Sequence, residues 1–191
     1  DSQSKFIVID TETTGFDYEK DRILCIGAVL LEKSQIAVKD SFEVYLTQDH
    51  YNSDSTPIHG ILKEEKKEKT AEIEALKSFL TYIGNAPIIA HHTMFDVNMI
   101  NKALHRQGLP SLKNKLLDTV VLYKKSLLRS PLIEKKDQYS LDELADKFNI
   151  SKKDRHTALG DAYITALLFL KIIKKLKEKT GQLKFKRLFI D

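Results

Sequence analysis

The 191-residue sequence contains a single cysteine and only four prolines. One cysteine cannot form an internal disulfide, so a small domain held together by disulfides is excluded. Cys25 lies in an apolar run, where we expect a small buried hydrophobic side chain rather than a nucleophile. This cysteine usage fits a reducing, cytoplasmic location.

Long apolar runs are also missing. The longest, residues 164–173, is interrupted by Lys171 and is shorter than the roughly 18 residues that a membrane span needs. We find no signal peptide, so no membrane partner is expected. The net charge of +4 is compatible with an anionic partner but is a weak argument for one. The first residue is Asp1 rather than Met, which is consistent with a trimmed chain or a piece of a longer one.

The hydrophobic pattern predicts an α/β fold in one domain. Strands are expected at residues 5–12, 22–31, 35–46, 87–91 and 116–119. Helices are expected at residues 70–83, 94–107, 140–148 and 156–179. The first two helices are expected to be capped by Thr70 and Thr93, and the third by Ser140. This order predicts a mixed sheet of about five strands, an antiparallel meander followed by parallel strands, flanked by helices. Gly27, inside the second strand, predicts a close approach of another backbone.

Two acids end the first predicted strand. Asp10 and Glu12 are two residues apart, so both carboxylates project from the same face. Two such acids at the end of a core strand are costly unless a positive charge lies between them. A divalent cation is the common solution, because hard cations prefer oxygen ligands. Ordinary turn residues following a strand are the competing interpretation.

Three more polar residues occur at the starts of helices. Asp96 lies in the first turn of the helix that follows a buried strand, where an acid favoured by the helix dipole is the competing explanation. His156 is expected at the start of the last long helix, where a surface or capping histidine is the competing explanation. Asp161 lies just inside that helix, beside a packing surface of small residues.

Together these residues resemble the DEDDh branch of the DnaQ-like 3′–5′ exonucleases, which have a ribonuclease H-like fold. The resemblance covers residues 5–171. The family motif Asp-x-Glu-Thr-Thr-Gly is matched in full by residues 10–15. The motif His-Asn-x-x-Phe-Asp is matched by residues 91–96, with His92 in place of Asn. The motif His-x4-Asp is matched by His156 and Asp161, whereas the sister branch uses Tyr-x3-Asp and position 157 is Thr.

The resemblance implies a reaction. Phosphodiester hydrolysis develops negative charge that two divalent cations about 3.5–4 Å apart can stabilise. Four carboxylates would hold two Mg²⁺ or Mn²⁺ ions, since oxygen ligands favour these metals over zinc. These ligands are Asp10, Glu12, Asp96 and Asp161. His156 would be the general base that takes the proton of the attacking water. The products would be 5′-mononucleotides released from the 3′ end.

The resemblance also indicates substrate contacts and partners. The expected nucleotide-binding residues are Thr13, Phe16, His59 and Asp54. For the last two, a loop histidine and a turn acid are equally good explanations. The expected substrate is nucleic acid with a free 3′ end, with single-stranded or frayed DNA favoured over RNA. A DNA polymerase is one candidate partner, in proofreading or repair. The predicted organisation is an exonuclease domain at residues 1–180 and a short tail at residues 181–191.

Other functions stay open at this point. One is an RNA-trimming 3′–5′ exoribonuclease, because no motif reports contacts to a 2′-hydroxyl. Another is a catalytically silent nucleic-acid-binding module of the same fold. A phosphatase or receiver protein that uses Asp10 as a phosphate acceptor conflicts with the opening strand meander. A metal site made by His91, His92 and His156 is disfavoured, since adjacent residues at a strand end face opposite ways.

Overall fold

A computed structural model describes residues 5–48, 67–128 and 136–190 of the chain. Its described strands are β1 (Lys5–Thr13), β2 (Ile23–Glu32), β3 (Gln35–Leu46), β4 (Lys69–Thr70), β5 (Ile88–Ala90) and β6 (Leu116–Asp118). Its described helices are α1 (Glu72–Ile83), α2 (Thr93–Arg106), α3 (Thr119–Ser126), α4 (Leu141–Lys147) and α5 (Ala158–Thr180). A short 3₁₀ turn, Phe185–Arg187, follows α5. No described helix has the combination of length and apolar character that would let it cross a membrane.

The strands form one mixed sheet in the order β4-β3-β2-β1-β5-β6. The first three strands are an antiparallel meander, whereas β5 runs parallel to β1, and β6 runs parallel to β5. The predicted α/β fold with a mixed sheet is therefore confirmed. β4 adds a sixth strand that was not predicted, because two residues are too few to show a pattern.

The two faces of β1 bury different cores. Phe6 and Val8 pack in the cluster that contains α5, and Ile7 and Ile9 pack in the cluster that contains α1 and α2. This alternation is the two-residue period of a strand. Asp10 continues the series of even-numbered residues, so its side chain leaves the sheet on the side of α5.

Two predicted helix caps are wrong. Thr70 lies in β4, which pairs with the end of β3, and α1 begins later, at Glu72. Thr93 is the first residue of α2, and His92 precedes the helix. The Thr93 hydroxyl donates instead to the carbonyl oxygen of Leu117 at 2.7 Å. Thr70 therefore pairs with a strand instead of capping a helix, and the Thr93 hydroxyl bonds to the neighbouring strand β6 instead.

Two other caps differ in outcome. Ser140 caps α4 as predicted, because its hydroxyl accepts a hydrogen bond from the Glu143 amide at 3.1 Å. The last helix begins at Ala158 rather than at His156, and Thr157 caps it by accepting from the Gly160 amide at 3.0 Å. His156 therefore lies in the turn before the helix, with φ of 69°.

Gly27 makes the close backbone approach that its position predicted. A Cβ atom at Gly27 would lie 2.3 Å from the backbone of Ala158 and Leu159. Gly27 is also the residue of β2 that pairs with Asp10. The absence of a side chain here lets the first turn of α5 lie directly against the sheet beside Asp10.

The segment after α5 packs back onto the domain. Leu188 is buried in the same core cluster as α5, and Leu183, Phe185 and Phe189 pack against that cluster. Ile190 forms an isolated bridge with Leu116 of β6. The division into a domain at residues 1–180 and a tail stays a prediction.

The close packing at Gly27 predicts a stability loss that grows with side-chain size. Gly27→Ala should lower the free energy of unfolding by about 1–3 kcal/mol, because the added atom overlaps the α5 backbone. Gly27→Leu should lower it further. Urea unfolding followed by circular dichroism measures both losses.

Gly108 provides the matched control. Its φ is 71°, and among the described residues no atom beyond its chain neighbours lies within 4 Å of the position that a Cβ atom would take. Gly108→Ala and Gly108→Leu should both cost about 1–2 kcal/mol, the conformational cost alone. Equal losses for Ala and Leu at Gly27 would contradict the close approach.

Candidate active site

The carboxylates of Asp10, Glu12 and Asp161 lie together at one end of the sheet. One oxygen from each can be chosen so that all three lie within 4.8 Å of one another. Asp10 and Glu12 project from the same face of β1, and the packing of α5 against Gly27 brings Asp161 to that face. Within the described part of the chain, this is the group of acids and histidines spaced to hold a metal ion.

Asp96 reaches the same place from the neighbouring strand. β1 and β5 are parallel, so the loop after β5 and the start of α2 lie beside the carboxyl end of β1. The Thr11 amide and hydroxyl both donate to Asp96 Oδ1, at 3.0 and 2.7 Å. Asp96 is 3% exposed and lies beside the three-carboxylate cluster rather than inside it.

All five predicted catalytic residues line one cavity of about 560 Å³. Its other lining residues include Thr11, Thr13, Phe16, His91, His92, Phe95, Gln138 and Arg155. The His156 side chain is exposed, whereas Glu12, Asp96 and Asp161 are buried. The carboxyl groups of Asp10, Glu12, Asp96 and Asp161 form the acidic floor of the cavity. The His156 imidazole lies at its rim.

The acidic floor is electrostatically strained without a cation. Burial first, and then the carboxylates of Asp96 and Asp161, raise the pKa of Asp10 well above its usual value. Burial and the Asp161 carboxylate raise the pKa of Glu12 to about 7. Burial raises the pKa of Asp96 to about 7, although the hydrogen bonds from Thr11 oppose the shift. Hard divalent cations match this set of oxygen donors.

His91 and His92 of the second motif are not grouped with the acids as metal ligands. His91 Nδ1 lies 2.7 Å from the Thr119 hydroxyl, and Nε2 lies 2.7 Å from the Tyr139 carbonyl oxygen. Both ring nitrogens are therefore used, and burial lowers the pKa of His91 to about 4. His91 thus ties the loop around Tyr139 to the site.

His92 replaces the Asn of the family motif without backbone conflict. Its φ is 59°, in the left-handed region. Asn, Asp and His are the non-glycine residues most often found in this region. The substitution therefore keeps the turn that begins α2 and directs Asp96 to the site.

The predicted substrate-binding residues divide into two pairs. Thr13 is buried, and its hydroxyl donates to the Gly15 carbonyl oxygen at 2.8 Å, in the turn after β1. That turn presents Phe16, which is 85% exposed and lies 5.6 Å from the Phe95 ring. His59 and Asp54 fall outside the described residues.

Arg155 lines the cavity but was not among the site residues predicted from the sequence. Its guanidinium lies against Asp161 and also pairs with Asp142 of α4. A basic residue next to His156 was the available signal. Lys152 and Lys153 are also close in the sequence, however, and only the fold shows that Arg155 is the basic residue in contact with Asp161. Gln138, which lines the cavity, had no sequence signal.

The raised pKa values predict how stability depends on pH in the absence of metal. A carboxyl whose pKa is raised by folding stabilises the protein fully below its unfolded pKa of about 4. That contribution is lost as the pH rises through about 7, the value for Glu12 and Asp96. In EDTA, the Tm of the wild type should therefore fall relative to that of Asp10→Asn between pH 5 and pH 8.

Asp10→Asn is the matched variant because it removes one charge from the cluster while keeping the side-chain shape. Thermal unfolding followed by circular dichroism measures the difference in Tm between the two proteins. The same difference at every pH would contradict the electrostatic strain.

The chain matches the family model of the RNase_T exonucleases, described as exonuclease, over residues 7–169. It is 33% identical to the PolC-type DNA polymerase III of Caldanaerobacter subterraneus subsp. tengcongensis over 177 residues, which are 92% of this chain and 12% of the relative. It is 32% identical to the DNA polymerase III subunit epsilon of Aquifex aeolicus, covering 92% of this chain and 84% of the relative.

Solved structures agree with the fold. The crystal structure of E. coli exonuclease I in complex with a dT13 oligonucleotide has a TM-score of 0.77 at 18% identity, covering 94% of this chain and 43% of that chain. The predicted ribonuclease H-like fold is therefore confirmed. Because the family model spans most of the sequence and the epsilon subunit matches along most of its own length, the chain belongs to the RNase_T family of DnaQ-like exonucleases.

Proposed function

We propose that the chain hydrolyses the 3′-terminal phosphodiester of DNA and releases 5′-mononucleotides. The observation that carries this proposal is the cluster of Asp10, Glu12 and Asp161 in one cavity with the exposed imidazole of His156. A cavity with an acidic floor and a basic group at its rim suits hydrolysis of a phosphodiester once cations neutralise the floor.

The carboxylates would hold two divalent ions, Mg²⁺ or Mn²⁺. The proposed ligands are Asp10, Glu12, Asp96 and Asp161. The close spacing of Asp10, Glu12 and Asp161 fits this role. The raised pKa values of Asp10, Glu12 and Asp96 fit it too, since buried carboxyls that repel one another gain most from a shared cation. When bound, the ions would stabilise the negative charge on the attacking and leaving oxygens.

His156 would act as the general base. A neutral imidazole can take the proton of a water molecule near pH 7. Its exposed position at the rim lets it return that proton to solvent after each turnover. The His156 amide donates to Asp161 Oδ1 at 3.2 Å, which links the base to the acidic floor through the backbone.

The aromatic group beside the cavity would receive the terminal nucleotide. Phe16, Phe95 and Tyr18 form adjacent ring contacts with centroids 5.6 and 5.9 Å apart. Exposed aromatic rings stack on bases of any sequence. Thr13 would contact the same nucleotide from the cavity wall, and His59 and Asp54 stay candidates from the sequence alone.

DNA is proposed as the substrate because the relatives are named as DNA polymerase III proteins. Exonuclease I, which shares the fold, is named in complex with a dT13 oligonucleotide. The same relatives make a DNA polymerase the proposed partner, although the chain spans about 12% of the length of the PolC relatives. A cytoplasmic location stays a prediction.

Substitution of a proposed metal ligand should weaken both metal binding and catalysis, whereas substitution of the proposed base should weaken catalysis alone. Asp10→Asn should abolish measurable digestion of a 3′-labelled single strand and weaken Mn²⁺ binding, because it removes a ligand. His156→Ala should lower kcat by about 10²–10⁴-fold while Mn²⁺ affinity stays within twofold. Mononucleotide release and titration calorimetry measure the two effects.

Glu74→Gln is the control, because Glu74 is an exposed acid on α1 outside the cavity. It should match the wild type in both measurements. A His156→Ala variant with the wild-type rate would contradict the assigned base. Faster digestion of a matched RNA strand than of DNA would contradict the proposed substrate.

Phe16 provides a test of the nucleotide contact. Phe16→Ala should raise KM for single-stranded DNA on the order of tenfold, because stacking of one base is lost. The value of kcat should change less, since the carboxylates and His156 stay in place. Leu128→Ala, at another exposed apolar residue, should leave KM unchanged. An unchanged KM for Phe16→Ala would rule out this contact.

A further inference from the structure

Arg155 connects the turn that carries His156 to two helices. Its Nε donates to Asp142 Oδ1 at 2.7 Å, and Nη2 lies 3.3 Å from Asp142 Oδ2. Its Nη1 donates to Asp161 Oδ2. Asp142 lies in the first turn of α4, and Asp161 lies in the first turn of α5. One guanidinium therefore bridges both helix starts.

The geometry makes this contact stronger than an ordinary surface ion pair. Two nitrogens of Arg155 face the two oxygens of Asp142. This two-point contact, the Arg155 fork, fixes the direction of the guanidinium as well as its distance from Asp142. The Arg155 side chain is 15% exposed and that of Asp161 is 10% exposed, whereas that of Asp142 is 46% exposed. Partial burial therefore reduces solvent screening of the Arg155–Asp161 pair, and the Arg155–Asp142 pair depends on its two-point geometry.

The backbone of this turn adopts a less common conformation. His156 has φ of 69°, in the left-handed region that histidine tolerates better than most non-glycine residues but that still costs free energy. The side chain of His156 is exposed, so packing does not hold it. Its neighbours supply the constraint, through the Arg155 fork and the 3.2 Å hydrogen bond from the His156 amide to Asp161.

We propose that Arg155, held by Asp142, is a positioning residue that directs the His156 imidazole toward the acidic floor. This inference rests on the proposed function, because it acts through His156 as the base. Asp142 does not line the cavity, so it would affect the reaction through Arg155 and through the direct attraction between its charge and the His156 imidazole.

A small displacement of a reacting group can lower a rate by as much as 10²-fold. Asp142→Asn loses the charge that holds the fork, and we expect it to lower kcat about tenfold. KM and Mn²⁺ affinity should stay within twofold, because the substrate and metal groups are unchanged. Asp142→Glu keeps the carboxylate and should recover at least a third of the wild-type kcat.

Asp146→Asn is the matched control. Asp146 lies on the same helix and pairs with Lys152 of the same turn, but on the exposed surface. It should leave kcat within twofold of the wild type. If salt bridges to this turn only stabilised the fold, Asp142→Asn and Asp146→Asn would have similar kcat values.

The deciding measurement is a double-mutant cycle on a 3′-labelled single strand with Mn²⁺. If Asp142 acts through the base, Asp142→Asn should cost nothing further in a His156→Ala background. An equal fold-loss in both backgrounds, or a wild-type kcat for Asp142→Asn, overturns the positioning role. If Asp142→Asn does not fold, Arg155→Lys replaces it in the same cycle, because lysine keeps the charge but loses the fork.

The cycle also separates this inference from the proposed function. A wild-type rate for His156→Ala would overturn the assignment of the base and the inference with it. A slow His156→Ala together with a wild-type rate for Asp142→Asn would overturn the positioning role alone.

Discussion

The burial of carboxylates that also repel one another is the constraint on which the rest of the site depends. Asp10, Glu12 and Asp161 lie within 4.8 Å of one another at the end of the central strand, where burial already disfavours charge. A fold built for stability alone would not place three acids there. The proposed divalent cations would share these oxygens and offset both the burial and the repulsion that strain the metal-free protein.

The backbone brings these acids together through two close contacts. Gly27 lets the start of α5 lie on β2 beside Asp10, which delivers Asp161 from the far end of the sequence. Parallel pairing of β5 with β1 delivers Asp96, which the Thr11 amide and hydroxyl hold in place. Asp96 and Asp161 thus depend on different long-range contacts, so the site forms only when the whole sheet has formed.

Much of this arrangement follows from local rules in the sequence. Strand alternation is enough to put Asp10 and Glu12 on one face, and a glycine inside a buried strand is enough to predict a close approach. The errors lie where a distant partner competes with a local one. Thr70 pairs with a strand instead of capping a helix, and the Thr93 hydroxyl bonds to strand β6. The partners of Arg155 come from two separate helices. Contacts between residues far apart in the sequence produce no periodic pattern from which they could be predicted.

Anomalous diffraction from a crystal grown with Mn²⁺ tests the central claim most directly, because it locates the ion without reference to activity. The account predicts Mn²⁺ at bonding distance from carboxylate oxygens of Asp10, Glu12 and Asp161, with Arg155 still paired to Asp142. A crystal saturated with Mn²⁺ that shows no ion among these carboxylates would contradict it.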